Sequence, residues 1–484
     1  MALGEVDYGL MGVVGGLTAF IAFFNSVLSG SISRFYAVSF GASQVSKNRQ
    51  EGLEVCRRWF SIAVMIHAVI PIVLMLVGYP IAEWAVRNYL VIPADRIESC
   101  VWVLRFVCVS CFVGMVNVPF NAMYVAQQYI AELTIYSFVT STLNVVILYY
   151  MVTHPSVWLT KYVFWSTCLS VVPQFIICYR AICVFPECRI RFSYCLDRVR
   201  IKELLSFSGW SLFGTTAMLL RSQGISILVN KFFGPRANSA MAIAHTVDGH
   251  ASNLSSAMVG AFTPAIAAAG GAGQYDKVRE LAFRVCKLGM VLSYIFIVPL
   301  ALELPTIIKF WLKDPPAYTI GLCWIMLLIA FIDKHTFGHL IAINAIGKIK
   351  GFQIVVGLFN LMALPLAWLF VSAGGNVYYV GWGMALSWTL VVVGRLYFAK
   401  IHVRMSIREW AGKVFYPVDA AFALAVIPCL LVHYVSTEGL IRIVFVTIVF
   451  EIVFGGLIWM FAFEPEEKEF CTNKIRKLLS RFSD

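Results

Sequence analysis

The stretch GASQVSKNRQ (41–50) and the stretch GAGQYDKVRE (271–280) occupy matching positions in this chain. They lie within two longer segments, Gly4 to Cys56 and Gly234 to Cys286, which align without a gap at an offset of 230 residues. Each segment holds a long apolar run rich in Gly, Ala and Ser, then a glycine, a basic loop and a second apolar run. A self-match at a fixed offset is typical of a duplicated architecture. The sequence therefore predicts two related lobes.

The composition indicates an integral membrane protein. Hydrophobic residues make up 60% of the chain, charged residues make up 13%, and the mean hydropathy is +0.80. A helix that crosses a bilayer needs about 20 apolar residues, and a large soluble helical protein would not contain so many runs of that length. We predict thirteen spans, at residues 8–38, 59–86, 99–127, 129–153, 157–185, 204–230, 238–268, 283–312, 316–344, 350–373, 378–402, 412–435 and 439–463.

The distribution of charge predicts the topology. The net charge is +12, and most Lys and Arg residues fall in alternate loops and in the tail, on one side of the predicted membrane. By the positive-inside rule this side is cytoplasmic, which places the C-terminus inside the cell and the N-terminus outside. Because the topology accounts for the basic character, we expect no nucleic-acid partner.

The order of the spans predicts the fold class. The two copies begin six spans apart, so they cross the membrane in the same direction and form a parallel repeat with a pseudo-two-fold axis along the membrane normal. We therefore predict an all-α integral membrane fold with two six-helix lobes and two further helices. The predicted segments are an N-terminal lobe at 1–185, a cytoplasmic linker with an interfacial helix at 186–203, a C-terminal lobe at 204–402, two extra helices at 403–463 and a cytoplasmic tail at 464–484.

The beginning of the chain differs between the two copies. A full predicted span (204–230) precedes Gly234, whereas no span precedes Gly4. We expect that the complete protein has one more N-terminal helix and that this sequence is a shortened version. The alternative is a genuine thirteen-helix protein.

The sequence carries no recognisable catalytic or metal-binding motif. It contains no G-x-x-x-x-G-K-[ST] phosphate loop, no zinc motif and no nucleophile elbow. Cys108 and Cys111 have a metal-binding spacing, but they lie in an apolar segment without His or further Cys partners. We therefore expect no enzymatic activity, no cofactor and no metal.

Ionisable residues inside the predicted spans are the candidate site residues. Such a group costs about 2.5–3.5 kcal/mol at the middle of the bilayer, so each one suggests a function. For Arg105 and Arg395 the alternative is snorkelling near a helix end. The candidate substrate-binding cations, expected to line a central cavity, are Arg34, Arg105, Arg221, Lys334 and Arg395. The candidates for coupling or ion pairing are His245, Asp248, His250, Glu303, Asp333 and Asp419.

Two of these candidates, Arg221 and Asp248, are predicted to form a pair. Arg221 and Asp248 lie at similar distances before and after the turn at Gly234, hence at nearly equal depth on adjacent helices. We predict an Arg–Asp pair there, either a permanent structural pair or a switch that releases Arg221 to an anionic substrate.

Asp333, Lys334 and His335 are consecutive, so they cannot all face one direction. At least one is expected to face the cavity.

Three short motifs resemble those of a known transporter family. LGEVDYGLMG (3–12) is similar to the junction between its first two helices, SRFYA (33–37) to the end of the second helix, and KELLSFSGW (202–210) to the approach to the seventh. The family comprises the Wzx-type lipid-linked oligosaccharide flippases, or polysaccharide export proteins, of the MATE-like superfamily. By this resemblance Arg34 is the best-matched cationic position.

The resemblance implies fourteen helices and a multi-pass protein of the cytoplasmic (inner) membrane. It also implies transport of an undecaprenyl-diphosphate-linked oligosaccharide from the inner to the outer leaflet of the lipid bilayer. The glycan, the coupling ion (proton or sodium) and a polysaccharide polymerase complex as partner stay open.

Two other functions are compatible with the sequence. A cation-coupled multidrug exporter of the same superfamily would favour an acidic, aromatic cavity, whereas the charges inside the spans are mostly basic. A non-transporting scaffold of a polysaccharide assembly complex is the second alternative. Drug susceptibility of an expressing strain separates the first from a flippase, and rescue of a flippase-deficient strain separates the second.

Overall fold

The computed structural model describes residues 25–43, 49–88, 97–153, 159–312, 315–465, 467–469 and 472. These residues form helices joined by short turns, and none of them lies in a strand. The chain divides into two compact units: an N-terminal unit (residues 1–212 and 267–273) and a C-terminal unit (213–266 and 274–484). The motif at 3–12 and most of the first predicted span lie outside the described residues.

The N-terminal unit is organised around its third helix. Helix α3 packs against α2 and α5, and α4 packs against α5. Helix α4 is exposed along most of its length, which is expected for an apolar helix that faces lipid, because lipid tails are as apolar as its side chains. The helices of this unit before the linker are α1 (25–43), α2 (Arg49–Asn88), α3 (Ile97–Ala126), α4 (Ile130–Thr153) and α5 (Leu159–Val184).

The duplicated segments meet inside the N-terminal unit, at residues that the repeat makes equivalent. A Cβ atom added at Gly41 would lie 1.7 Å from the carbonyl oxygen of Ala268, and one added at Gly271 would lie 2.1 Å from that of Val38. Gly41 and Gly271 are equivalent in the repeat, as are Val38 and Ala268. The contact is therefore reciprocal, as in an interface with two-fold symmetry. Since glycine has no Cβ, it allows the two backbones to approach this closely.

Helix α6 (Arg198–Gly271) is 74 residues long and is interrupted at one residue. Gly234 has φ 80° and ψ 179°, a conformation that glycine adopts without steric cost. The next residue, Pro235, has no backbone N–H and cannot continue the hydrogen-bonding of the preceding turn. The interruption separates two arms, 198–233 and 235–271.

The interfacial helix predicted within residues 186–203 is a wrong prediction. Residues Pro186–Cys188 and Phe192–Tyr194 form two short 3₁₀ turns, and the long helix α6 begins directly at Arg198. Asp197 caps the first turn of α6, because its carboxylate accepts a hydrogen bond from a backbone N–H at 3.2 Å. The amphipathic pattern that suggested a separate surface helix belongs in part to this first turn.

The C-terminal unit is organised around α13. This helix packs against α9, α10, α11 and α12, while α15 and α16 pack against each other and against α7. The helices after α6 are α7 (Tyr275–Leu302), α8 (Leu304–Leu312), α9 (Thr319–Lys334), α10 (Phe337–Ile346), α11 (Lys350–Leu361), α12 (Ala363–Ser372), α13 (Val377–His402), α14 (Ile407–Trp410), α15 (Tyr416–Val435) and α16 (Leu440–Leu457). Two π-helical turns, Ala411–Phe415 and Ile458–Ala462, precede α15 and follow α16.

The spans of the structure agree with the predicted fold class. Among the described residues, 10 helices are long and apolar enough to cross a membrane, or up to 11 if the bent pair α9–α10 is one span. The number of spans is lower than the predicted thirteen for two reasons. Helix α6 covers two predicted spans, and most of the first predicted span lies outside the described residues. The remaining predicted spans each correspond to one of these helices or to the bent pair. The all-α membrane fold is confirmed.

Candidate functional site

The candidate site lies at the break between α9 and α10 in the C-terminal unit. Helix α9 ends at Lys334, α10 begins at Phe337, and the two helices are bent by 48°. Asp333, Lys334 and His335 are all buried at this break. Ionisable side chains in such a place need partners, because burying an unpaired charge is costly. We name this cluster the helix-break site.

Asp333 bonds to α13. Its Oδ1 accepts a hydrogen bond from Arg395 Nη1 at 2.6 Å and another from Trp388 Nε1 at 3.2 Å. The Lys334 Nζ lies 3.7 Å from its Oδ2. Two cations and an indole donor therefore compensate this carboxylate, and Arg395 is bound inside the protein, as a buried ion pair requires.

Arg221, on the first arm of α6, lies against the same indole. Its guanidinium carbon is 4.4 Å from the centre of the Trp388 ring, a distance typical of a cation–π contact. Its Nε and Nη1 atoms are buried, and no hydrogen-bond partner for them exists in the described part of the chain. Arg221 thus differs from Arg395, whose Nη1 has a carboxylate partner.

The predicted contact between Arg221 and Asp248 does not form. Nε and Nη1 of Arg221 have no hydrogen-bond partner among the described residues, and Asp248 accepts a weak hydrogen bond from Ser252 at 3.5 Å instead. The two groups still attract each other electrostatically at longer range. The reason for the difference is that Arg221 turns toward the Trp388 ring. On the same arm as Asp248, His245 is half-buried and His250 is exposed.

His335 contacts the other side of the helix break. Its Nε2 lies 2.9 Å from Asp419 Oδ2 on α15 and 3.2 Å from the Tyr294 hydroxyl on α7. The Tyr294 hydroxyl donates to Asp419 Oδ1 at 3.0 Å. Asp333 and His335, two residues apart, thus bind to different helices. Asp419, a predicted coupling residue, belongs to this group of three.

Glu303 lies in a separate ion-pair cluster. Its side chain is fully buried between His433, whose Nδ1 is 2.7 Å away, and Arg442, whose Nη2 is 2.9 Å away. Arg442 also donates to Thr306 at 3.3 Å. This cluster joins the connection between α15 and α16 to the end of α7 and to α8.

Two of the predicted cations, Arg34 and Arg105, lie in the N-terminal unit. The Arg34 guanidinium lies over the ring of Phe207 at 4.6 Å. Arg105 donates to the Tyr79 hydroxyl at 3.0 Å and lies over Trp102 at 4.8 Å. Both are held by aromatic residues of their own unit.

The structure brings several predicted residues together and adds others. Arg221, Lys334, Asp333 and Arg395 share one cluster, with Asp248 within electrostatic range. The residues that sequence reasoning missed are the connecting aromatic and ion-pair partners Trp388, Tyr294, His433 and Arg442. A chain with 13 Trp and 20 Tyr residues offers no local signal that singles out two of them. For His433 and Arg442, the available signal was an ionisable residue near the end of a predicted span, 412–435 and 439–463 respectively.

The helix-break site has two chemical capacities. On the α13 side, Arg221 presents guanidinium N–H groups beside a compensated carboxylate, which suits an oxyanion. On the α15 side, an imidazole, a carboxylate and a phenol share hydrogen bonds, which suits a proton.

No protein-family model matches the sequence, and no curated protein sequence matches it. Several solved structures share its fold. A MATE in the bent conformation has a TM-score of 0.73 at 13% identity, covering 84% of this chain and 90% of that chain. A multidrug resistance MATE family transporter of the MOP superfamily, in an outward-facing conformation, has a TM-score of 0.70 at 14% identity, covering 83% and 89%. A MOP superfamily transporter from Pyrococcus furiosus has a TM-score of 0.65 at 14% identity, covering 85% and 89%.

At these identities the similarity is one of fold, since one fold hosts several functions. It extends over most of this chain and most of each solved structure. The apolar helices and the matched architecture together identify a multi-pass membrane protein. The chain has the all-α membrane fold of the MATE transporters of the MOP superfamily.

Proposed function

We propose that this chain is a flippase for lipid-linked oligosaccharides and that its C-terminal unit binds the diphosphate of the lipid. Arg221 is the observation that carries the proposal. Two of its guanidinium nitrogens are buried without an acceptor among the described residues. A buried charged donor without an acceptor costs free energy, and an anionic ligand offsets that cost by supplying the acceptor.

The charge balance around Arg221 supports an anionic ligand. The cations Arg221, Lys334 and Arg395 outnumber the carboxylates Asp333 and Asp248. Asp333 is already bonded to Arg395 and lies near Lys334. The cluster therefore keeps a positive charge, located mainly at Arg221.

Trp388 supports a bidentate mode of binding. The indole lies under the guanidinium carbon and so holds the plane of the group. A planar guanidinium held in this way keeps its N–H edge for two parallel bonds to phosphate oxygens. A lysine would not provide this geometry.

The remaining parts of the proposal follow the resemblance described above. Arg34, in the N-terminal unit, is proposed as a further substrate-binding cation, and exposed apolar residues of α15 and α16, such as Leu431 and Ile441, as a surface for the polyprenyl tail. Movement from the inner to the outer leaflet would follow alternating access. We place the protein in the cell inner membrane with a cytoplasmic C-terminus. A polymerase complex as partner and an absence of enzymatic activity are further proposals.

A multidrug exporter is the second candidate function, and two observations favour it. One of the solved structures is a multidrug resistance transporter, and Asp248 has no ion-pair partner within the described residues. For the Pyrococcus furiosus transporter, the reverse polarity of the binding pocket suggests a different function. The polarity of the pocket is therefore the property to measure.

The test is a binding experiment on purified protein in detergent. Farnesyl diphosphate serves as a soluble isoprenoid diphosphate, farnesol as its uncharged counterpart and tetraphenylphosphonium as a cationic drug. Of the three compounds, we expect only farnesyl diphosphate to bind. Its affinity should fall by about 10- to 100-fold in Arg221→Ala, the loss expected for a charged hydrogen bond.

Arg180→Ala is the matched control. Arg180 is half-exposed and pairs with Glu132 in the N-terminal unit, so its loss leaves the affinity unchanged. Binding of tetraphenylphosphonium that Asp248→Asn abolishes would favour the exporter instead. Restoration of surface polysaccharide in a flippase-deficient strain then tests transport itself.

A further inference from the structure

We infer that His335, Asp419 and Tyr294 form a proton-binding site that links the helix break to α15. As the site of the coupling ion it rests on the proposed transport function. As a proton site it stands on its own geometry. None of the residues assigned to the diphosphate takes part in it.

The hydrogen bonds of His335 determine which ring nitrogen is protonated. Its Nδ1 lies 2.9 Å from the backbone carbonyl oxygen of Phe331. A carbonyl oxygen can only accept, so Nδ1 carries a hydrogen. The state of Nε2 therefore decides whether the ring is neutral or cationic.

One proton belongs between Nε2 and the carboxylate. The Nε2 of His335 lies 2.9 Å from Asp419 Oδ2. With a proton on either atom, the contact is a hydrogen bond. Without it, a nitrogen lone pair faces a carboxylate oxygen, and the contact is repulsive. The observed distance thus fits the form of the pair that holds a proton between the two atoms.

Once the proton has left, the Tyr294 hydroxyl can donate a hydrogen bond to only one of the two remaining acceptor atoms. Its hydroxyl is 3.0 Å from Asp419 Oδ1 and 3.2 Å from His335 Nε2. It has a single hydrogen and can donate to one of the two atoms at a time. The deprotonated site therefore leaves one of these acceptors without a hydrogen from Tyr294, and the repulsion between His335 Nε2 and Asp419 Oδ2 favours separation of α15 from the helix break.

The surroundings of the site are aromatic. The ring of Tyr294 stacks on Phe331 at 4.6 Å, and Phe422 and Phe454 pack against it from α15 and α16. Phe415, in the π-helical turn before α15, lies 5.3 Å from the His335 ring. Such a setting strengthens the electrostatic interactions inside the site, because the local dielectric constant is low.

Other ionisable groups near the site have partners of their own. On α9, Asp333 and Lys334 are bound on the α13 side of the break. On α10, His339 Nδ1 contacts the thiol of Cys286 on α7 at 3.3 Å. Among the described residues of α7, α15 and α16 that contact His335, the titratable groups are Tyr294 and Asp419.

The position of the site provides a route for coupling. Asp333, on one side of the break, bonds to Arg395 and Trp388, and Trp388 holds Arg221. His335, on the other side, bonds to α15. Because the two residues share one short stretch of backbone, release of the proton changes the restraint on the residues that hold Arg221.

The experiment compares purified variants of the whole chain between about pH 5 and pH 9, a range that includes the pH values at which histidine side chains change charge. His335→Gln and Asp419→Asn keep the hydrogen-bonding shape but do not titrate. His433→Gln is the matched control: His433 also contacts a carboxylate, but Arg442 keeps that carboxylate paired. The two readouts are the unfolding temperature and the affinity for farnesyl diphosphate.

We expect the unfolding temperature of the wild type to fall as pH rises, because loss of the shared proton removes the hydrogen bond between His335 and Asp419. His335→Gln and Asp419→Asn remove this slope, and His433→Gln keeps it. Affinity for farnesyl diphosphate should change with pH more steeply in the wild type and in His433→Gln than in the other two, where only the titration of the ligand itself remains.

Two results would overturn the inference: equal pH slopes in wild type and His335→Gln, or a response to sodium at constant pH that Asp419→Asn abolishes. If farnesyl diphosphate fails to bind at any pH, the proposed flippase function fails, and the pH slope of the unfolding temperature still decides the proton site.

Discussion

The guanidinium carbon of Arg221 lies 4.4 Å from the centre of the Trp388 ring, and that ring also has Arg395 at 5.8 Å. The two arginines share one indole but differ in pairing. Arg395 bonds to Asp333 at 2.6 Å, whereas Nε and Nη1 of Arg221 have no acceptor in the described part of the chain. Their removal should therefore have opposite consequences.

Arg221→Met should separate function from stability. Methionine keeps much of the apolar volume of the side chain, and its introduction removes buried donors that lack acceptors, so the unfolding temperature should stay the same or rise. The affinity for farnesyl diphosphate should fall by at least about tenfold. Both are measured on one preparation in detergent. A loss of stability as large as that of Arg395→Met would contradict a ligand-binding role for Arg221.

Arg395→Met should destabilise the protein by about 3–5 kcal/mol, because it leaves the buried Asp333 without its main partner. The double variant Asp333→Leu with Arg395→Met should recover part of this loss, since it removes the unpaired carboxylate but leaves the buried Lys334 without its partner. Chemical or thermal unfolding of Arg395→Met, Asp333→Leu and the double variant checks the cycle. A double variant as unstable as the single one would show that side-chain packing, rather than the ion pair, stabilises this region.

Glu303→Gln should loosen the connection between α15 and α16. The substitution leaves Arg442 largely buried without its carboxylate, so we expect a loss of about 3–5 kcal/mol. Hydrogen exchange should accelerate around residues 436–442. The matched control is Glu438→Gln, which weakens an exposed hydrogen bond from Thr306 and should cost at most about 1 kcal/mol. Equal hydrogen exchange in both variants would show that the ion pair between Glu303 and Arg442 does not stabilise the connection between α15 and α16.

Gly41→Ala and Gly271→Ala should each force the two copies of the repeat apart, because the added Cβ would meet a backbone carbonyl. Overpacking of this kind costs about 1–3 kcal/mol. Gly30→Ala and Gly260→Ala are the matched controls, since an added Cβ meets nothing within 4 Å at either position. These controls should be neutral or slightly stabilising, as alanine favours the helix. A similar unfolding temperature in all four variants would contradict the close crossing.

The architecture was predictable because its determinants are local. The thickness of the bilayer sets the length of an apolar run, so the spans can be read from consecutive residues. The offset of the repeat also paired Gly41 with Gly271, and the structure places both in one reciprocal contact. The linker was less predictable: the same apolar spacing fits a surface helix and the first turn of α6, and the capping by Asp197 decides between them.

The sequence by itself determined the all-α membrane fold, the duplication and which ionisable side chains lie inside the spans. The tertiary structure alone decided which partner each of those side chains takes. Arg221 and Asp248 lie at similar distances along the chain from Gly234 on the two arms of α6, yet Arg221 contacts Trp388, and Asp333 and His335 bind to different helices. The physical reason is that position along a helix gives the depth of a residue, whereas the choice of partner depends on how helices distant in sequence pack against one another.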